Sequence, residues 1–166
     1  MKKLTLLLLI TVTAFTYSYS QKFKYGHIDG NAVYGEMPEK QEADTLYAKF
    51  VKQLEDQIKN MQDEYNAKLE EYKQKEASLS DIVKQTKIDE LNSLGERIQK
   101  FQVSAQTEAA KKQKELYDPV REKFGNALKK VAEKYGYRFI IDKNALLYYN
   151  DADDVTDLVK KELGIK

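Results

Sequence analysis

From about Asp44 to Tyr135 the sequence holds almost nothing but helix-forming residues, and this stretch limits what the chain can become. Apolar residues recur at Leu46, Phe50, Leu54, Ile58, Met61, Tyr65, Leu69 and Tyr72, in steps of three or four that keep them on one helical stripe. A second stripe runs through Leu91, Leu94, Ile98, Phe101 and Ala105, then Leu116, Val120, Phe124, Leu128, Val131 and Tyr135. Between the two lies Ala77-Ser78-Leu79-Ser80-Asp81, where helix propensity drops and capping residues gather. The chain is expected to fold back there, as an antiparallel helical hairpin with its tip near residues 78–82. Each arm of about 40 to 45 residues reaches roughly 60 to 65 Å, at a rise of about 1.5 Å per residue. The alternative is one uninterrupted helix, because the break contains neither Gly nor Pro.

Such a hairpin buries one narrow seam, and here the seam is uneven. Between Thr107 and Glu115 the apolar residues are Ala109 and Ala110 alone. Gly95 lowers helix stability by about 1 kcal/mol relative to Ala. Pro119 removes a backbone donor and crowds the preceding turn, so a kink or break is expected near Tyr117 to Pro119. Arms built this way are stiff near the base and compliant toward the tip.

Composition excludes several kinds of chemistry. The chain of 166 residues has no cysteine, hence no disulfide and no thiolate metal site, and one histidine, His27, cannot form an imidazole cluster. Its 28 Lys+Arg against 27 Asp+Glu argue against a nucleic-acid partner. His27 lies beside Asp29, but without a nearby nucleophile or phosphate loop the pair reads as structural. Asp151, Asp153 and Asp154 resemble half a calcium loop, yet the glycine and terminal glutamate of an EF-hand are missing. No enzyme activity, cofactor or metal is expected.

The ends of the chain differ from the middle. Lys2 and Lys3 precede an apolar run from Leu4 to Phe15, and Ser18-Tyr19-Ser20 supplies small residues for a signal peptidase, with the cut expected between Ser20 and Gln21. The run is shorter than the roughly 20 residues a membrane span needs, so a retained anchor is the weaker reading. Without residues 1–20 the chain carries 26 positive against 27 negative groups, a net charge of −1. Residues 21–43 read as one strand, near Phe23 to Ile28, followed by a turn-rich segment broken by Gly30 and Gly35. Residues 136–166 read as a strand over Arg138 to Asp142, a turn, a second strand over Ala145 to Tyr149, and a closing helix from Val155 to Leu163 capped by Asp154. Three short strands with one helix bury too little to stand alone and leave open sheet edges. Self-association through this base is therefore expected, in an α+β, predominantly α, chain.

The C-terminal run Tyr135-Gly136-Tyr137-Arg138-Phe139-Ile140-Ile141-Asp142-Lys143-Asn144-Ala145-Leu146-Leu147-Tyr148-Tyr149, followed by Asp154-Val155-Thr156-Asp157-Leu158-Val159, resembles the Skp/OmpH family of periplasmic chaperones. Tyr25-Gly26-His27-Ile28-Asp29 agrees more loosely, standing where family members have a more apolar strand, and the helical part matches only in kind. The resemblance implies a jellyfish-shaped homotrimer: a small β body assembled between subunits, with three helical hairpins around a cavity. It further implies an ATP-independent holdase that keeps unfolded outer-membrane proteins from aggregating in the periplasm before their insertion. Tyr25, Ile28, Phe139, Ile140, Ile141, Leu147 and Tyr148 become candidates for the body and its subunit interface.

Met61, Tyr65, Leu69 and Tyr72 are candidate client contacts, although their spacing is that of the seam. Leu79, Ile82 and Val83 are better placed, at the tip, where little partner surface is available. Lys111-Lys112-Gln113-Lys114 reads first as a solvated face, with weak contact to a membrane surface as the alternative. Some family members are strongly basic and touch anionic lipid or lipopolysaccharide; a net charge of −1 departs from them. Two other functions compete: a structural coiled-coil spacer or adaptor of the cell envelope, and a cytoplasmic prefoldin-like chaperone. The spacer wants an evenly filled seam, and the cytoplasmic protein has no use for the leader.

Overall fold

The computed structural model describes residues 23–165, so the expected leader and its cut lie outside the described residues. In chain order the elements are β1 (Lys24–Ile28), α1 (Gly30–Glu36), α2 (Pro38–Lys75), α3 (Asp81–Tyr135), β2 (Tyr137–Asp142) and α4 (Thr156–Leu163). Short 3-10 turns occupy Glu76–Ser78, Lys143–Ala145 and Asp151–Asp153. Helices α2 and α3 pack against each other as the two arms of a hairpin, and the uninterrupted helix is excluded.

The arms are unequal, where equal ones were expected. α2 has 38 residues and α3 has 55, so they span about 57 and 82 Å. The extra length of α3 lies at its C-terminal end, where Ala127 and Val131 enter the core of the body. The expected break at Pro119 does not occur, and α3 runs through it. Burial on either side explains this: Val120 packs with Met37 and Ala43, and Leu116 and Tyr117 lean on the same cluster. That packing holds the helix together across a missing backbone hydrogen bond.

The segment after β1, read as turns, is instead helix α1. The Asp29 carboxylate accepts from the Ala32 N–H at 2.9 Å and caps it. The helix sinks Val33 completely into the core. A fully buried Met37 then leads into α2, which opens with Pro38 in its first turn, where a missing N–H costs nothing.

β1 and β2 are parallel neighbours, with Tyr25 opposite Phe139 and His27 opposite Ile141. The whole hairpin serves as the crossover that parallel strands require. At the end of α3, Gly136 adopts φ 73° and returns its N–H to the Ala132 carbonyl, turning the chain directly into β2. The expected strand over Ala145 to Tyr149 is absent: this stretch is the end of a 3-10 turn and extended chain, with no strand alongside. Its place against β1 is taken by a single bridge from Asp154 to His27, fixed by the Val155 N–H to the His27 carbonyl at 2.9 Å. The closing helix starts one residue later than expected, with Val155 rather than Asp154 at its N-cap, and the Asp154 carboxylate accepts from the Thr156 N–H at 2.7 Å.

The core gathers where the root of α3 meets the sheet. Ile28, Val33, Ala127, Val131, Val155 and Val159 form one buried cluster, edged by Phe124, Tyr137 and Ile140. Gly26 is needed at its rim, because a Cβ there would stand 2.8 Å from Val155 Cγ1 and 3.1 Å from the Tyr137 ring.

Candidate binding surfaces on the arms and the body

The seam residues divide sharply along the arms. Met61 is buried, facing an α3 stripe in which Leu91, Leu94 and Ala105 are also buried. Tyr65, Leu69 and Tyr72 are half-buried, and Tyr65 crosses to within 3.9 Å of where a Gly95 Cβ would sit. These four are largely engaged by the hairpin itself. At the tip Leu79 is half-buried, whereas Ile82 is 80% exposed and Val83 is also exposed. Ile88 and Val103, the latter 62% exposed, were missed in the sequence. The signal was there for Val103, which lies off the Leu91-Leu94-Ile98-Phe101 stripe; Ile88, three residues before Leu91, sits at the edge of that stripe.

Polar contacts between the arms are confined to their root among the described residues. Tyr117 donates its hydroxyl to Asp44 at 2.7 Å and Lys123 pairs with Glu39, while Lys40, one turn before Asp44 on the same helix, holds that carboxylate at 2.5 Å. Lys40 and then Tyr117 hold the Asp44 carboxyl below its usual range. Burial, reinforced by the Asp44 bond, pushes the Tyr117 phenol up to about 12. Every other ion pair within the arms links residues three or four apart on one helix, as with Lys52–Asp56 and Lys59–Asp63. Past the root, only the narrow apolar seam joins the arms. The run Lys111-Lys112-Gln113-Lys114 is mostly solvated, with Lys112 paired to Glu115.

On the body, residues alternate across the sheet. Ile28 and Ile140 face the helices and belong to the chain's own core. Tyr25, Phe139 and Ile141 lie on the other face; Tyr25 and Phe139 stack with centroids 6.0 Å apart and planes within 4°, yet both remain half exposed. Leu147 and Tyr148 project fully into solvent from the loop beside them. Arg138 lies over the Phe23 ring at 3.9 Å.

His27 shares this outer face and is almost fully buried, under the loop that follows the Lys143–Ala145 turn. Its Nε2 lies 2.9 Å from the Asn150 carbonyl, and the Tyr149 ring leans on it at 4.6 Å. Asp29 is taken elsewhere. Lys143 binds it and lowers its carboxyl pKa, the Ala32 N–H adds to this, and the Asp29 N–H reaches Thr156 Oγ1. No histidine–carboxylate couple forms, and the histidine straps the loop to the sheet. Among the described residues no cluster of acidic or imidazole groups is placed to hold a metal ion.

The long hairpin and the small parallel sheet at its root lie within residues 24–163, the span matched by the profile of the OmpH-like outer membrane protein family. The chain belongs to the OmpH-like family. A solved structure of an OmpH-like protein from Caulobacter crescentus CB15, a candidate outer membrane chaperone, superposes with a TM-score of 0.75. The two are 13% identical, and the match covers 85% of this chain and 83% of the other, so it establishes the shared fold. No curated protein matches the chain. This OmpH-like protein displays apolar side chains on the arm tip and on the outer face of the body.

Proposed function

We propose that this OmpH-like protein is an ATP-independent holdase chaperone of the periplasm, which keeps unfolded outer-membrane proteins soluble before their insertion. The observation that carries the reading is the distribution of contacts between the arms: polar clamps at the root, and beyond them a thin apolar seam. A hairpin held this way bends beyond its root at low free-energy cost and adapts to clients of different size. Ile82, Val83, Ile88 and Val103 offer isolated apolar contacts set among solvated ion pairs, which bind an unstructured chain weakly at many points. Release then needs no nucleotide.

The body supplies assembly. Tyr25, Phe139, Ile141, Leu147 and Tyr148 leave an apolar surface beside a two-stranded sheet whose β2 edge is unpaired. Joining the sheets of three subunits covers both and sets three arms around a shared cavity.

The test is direct. A urea-denatured outer-membrane β-barrel protein is diluted into buffer with a several-fold molar excess of the purified protein, and light scattering is followed. Suppressed scattering is expected; scattering equal to that with an inert protein refutes the holdase reading.

A further inference from the structure

The tip holds a small cavity that none of the preceding roles uses. It lies between the last turns of α2 and the first turns of α3 and measures about 200 Å³. Pockets for cofactors or drug-sized ligands run from about 300 to 1,000 Å³. A cavity of this size holds the liquid volume of about six or seven waters, the space of one large side chain. Its apolar lining comes from Tyr72, Leu79 and Leu91, the last nearly buried. The turn fixes this lining: the Leu79 N–H bonds the Glu76 carbonyl, and the Tyr72 hydroxyl donates to the Glu76 carboxylate at 3.1 Å.

The rim is charged and unbalanced. Glu71 pairs with Lys75 at 2.9 Å and Glu90 with Lys87 at 3.4 Å. Lys68 also lines the cavity, and no carboxylate lies within ion-pair distance of it among the described residues. Two of the three lining lysines are thus paired with glutamates, and Lys68 is the one left to meet a carboxylate from outside. The Glu71 carboxyl is held below its ordinary range by its bond to Lys75 first, then by the nearby charges of Lys87 and Lys68.

We propose that this cavity is a socket for one large apolar or aromatic side chain of an unfolded polypeptide, filled best where a carboxylate neighbours that side chain. The inference rests on reading the protein as a binder of unfolded chains, and it gives that binding a fixed point on the arm. The apolar floor takes the ring, and Lys68 meets the flanking acid. Ile82 and Val83, exposed one turn away, extend the contact along the bound chain.

The experiment uses the purified protein with 13C-labelled leucine methyls and three short peptides. One presents Phe-Asp between Gly and Ser residues, the second Phe-Lys, the third Ala-Asp. The Phe-Asp peptide is expected to shift the Leu79 and Leu91 methyl signals saturably. The Phe-Lys peptide is expected to bind about three- to tenfold more weakly, the factor for reversing one charge near another across about 7 Å of solvent. The Ala-Asp peptide is expected to leave both signals in place. Leu79→Trp fills the socket from a non-helical position, so helical circular dichroism persists while the peptide response at Leu91 is lost. Lys68→Glu turns the rim net negative and reverses the preference between the Asp and Lys peptides.

Equal shifts from all three peptides, an unchanged response in Leu79→Trp, or shifts only away from the tip overturn the proposal. The β-barrel dilution run on the same preparation separates the two readings. If the client stays soluble but no peptide seats, the socket fails and the holdase stands; if a peptide seats but the client precipitates, the holdase fails and the socket stands.

Discussion

Three glycines test the packing of this fold through opposite signs. At Gly26 an added Cβ meets Val155 Cγ1 at 2.8 Å and two Tyr137 ring carbons at 3.1 and 3.2 Å. Val155 cannot give way easily, because it is fully buried and its N–H is tied to the His27 carbonyl. Overpacking of this kind costs about 1 to 3 kcal/mol. At Gly125, inside α3, nothing lies within 4 Å of the same added atom, and at Gly95 the nearest atom is Tyr65 Cε2 at 3.9 Å, an ordinary contact. There, exchange to alanine removes only the entropic penalty of glycine in a helix and stabilises by about 0.5 to 1 kcal/mol. For a chain of this length each kcal/mol moves the melting temperature by about 3 °C. Gly26→Ala is therefore expected to melt about 3 to 9 °C below the parent, and Gly125→Ala and Gly95→Ala about 2 to 3 °C above it. Circular dichroism at 222 nm reads the transition, with all variants at one protein concentration because self-association makes melting concentration-dependent. A Gly26→Ala protein that melts at or above the parent refutes the close approach of β1 to Val155.

Other consequences concern charge and assembly. Tyr117 has a folded pKa above its unfolded value of about 10, so its contribution is complete below that pH and is lost as pH rises through about 12. Tyr117→Phe is expected to flatten the loss of stability over that window, and absorbance at 295 nm to show in the parent a late-ionising tyrosine that the variant lacks; a stability profile unchanged by the substitution counts against the clamp. Asp29 is depressed and Lys143 raised by their shared bond, so the pair contributes above the carboxylate's unfolded pKa of about 4 and below the lysine's of about 10. Lys143→Met should lower the melting temperature near pH 7 and converge on the parent as pH falls through the folded pKa of Asp29, and parallel curves contradict the pairing. If the outer face of the sheet joins subunits, Tyr25→Ser with Phe139→Ser shifts the mass in solution from trimer toward monomer, as light scattering after gel filtration reports; a parent that is monomeric at micromolar concentration removes the assembly argument altogether.

Much of the fold could be read along the chain because its long helices obey a local rule. A stripe repeating every three or four residues, with few interruptions, specifies a helix and the face it buries, and the drop in propensity around Ser78 marks where the chain turns. The tip candidates Leu79, Ile82 and Val83 followed from the same pattern, since residues at a turn find little partner surface. The body was less legible. Its first helix hides behind Gly30 and Gly35, which signal turns, and is set by the Asp29 cap and the burial of Val33. Ala145 to Tyr149 has a strand's composition but pairs with no strand among the described residues, so its backbone forms no ladder there.

The hairpin, the lack of thiol chemistry and membership in the OmpH-like family were legible along the chain, because periodicity, composition and a continuous motif are local properties. Tertiary structure decided what depends on residues far apart in sequence: the parallel pairing of β1 with β2, the unbroken course of α3 through Pro119, and the clamp between Tyr117 and Asp44 at the arm root. It also decided which apolar residues are used up by the fold. Met61 and Ile82 are equally apolar in the sequence, but only the packing of one arm on the other buries the first and leaves the second in water.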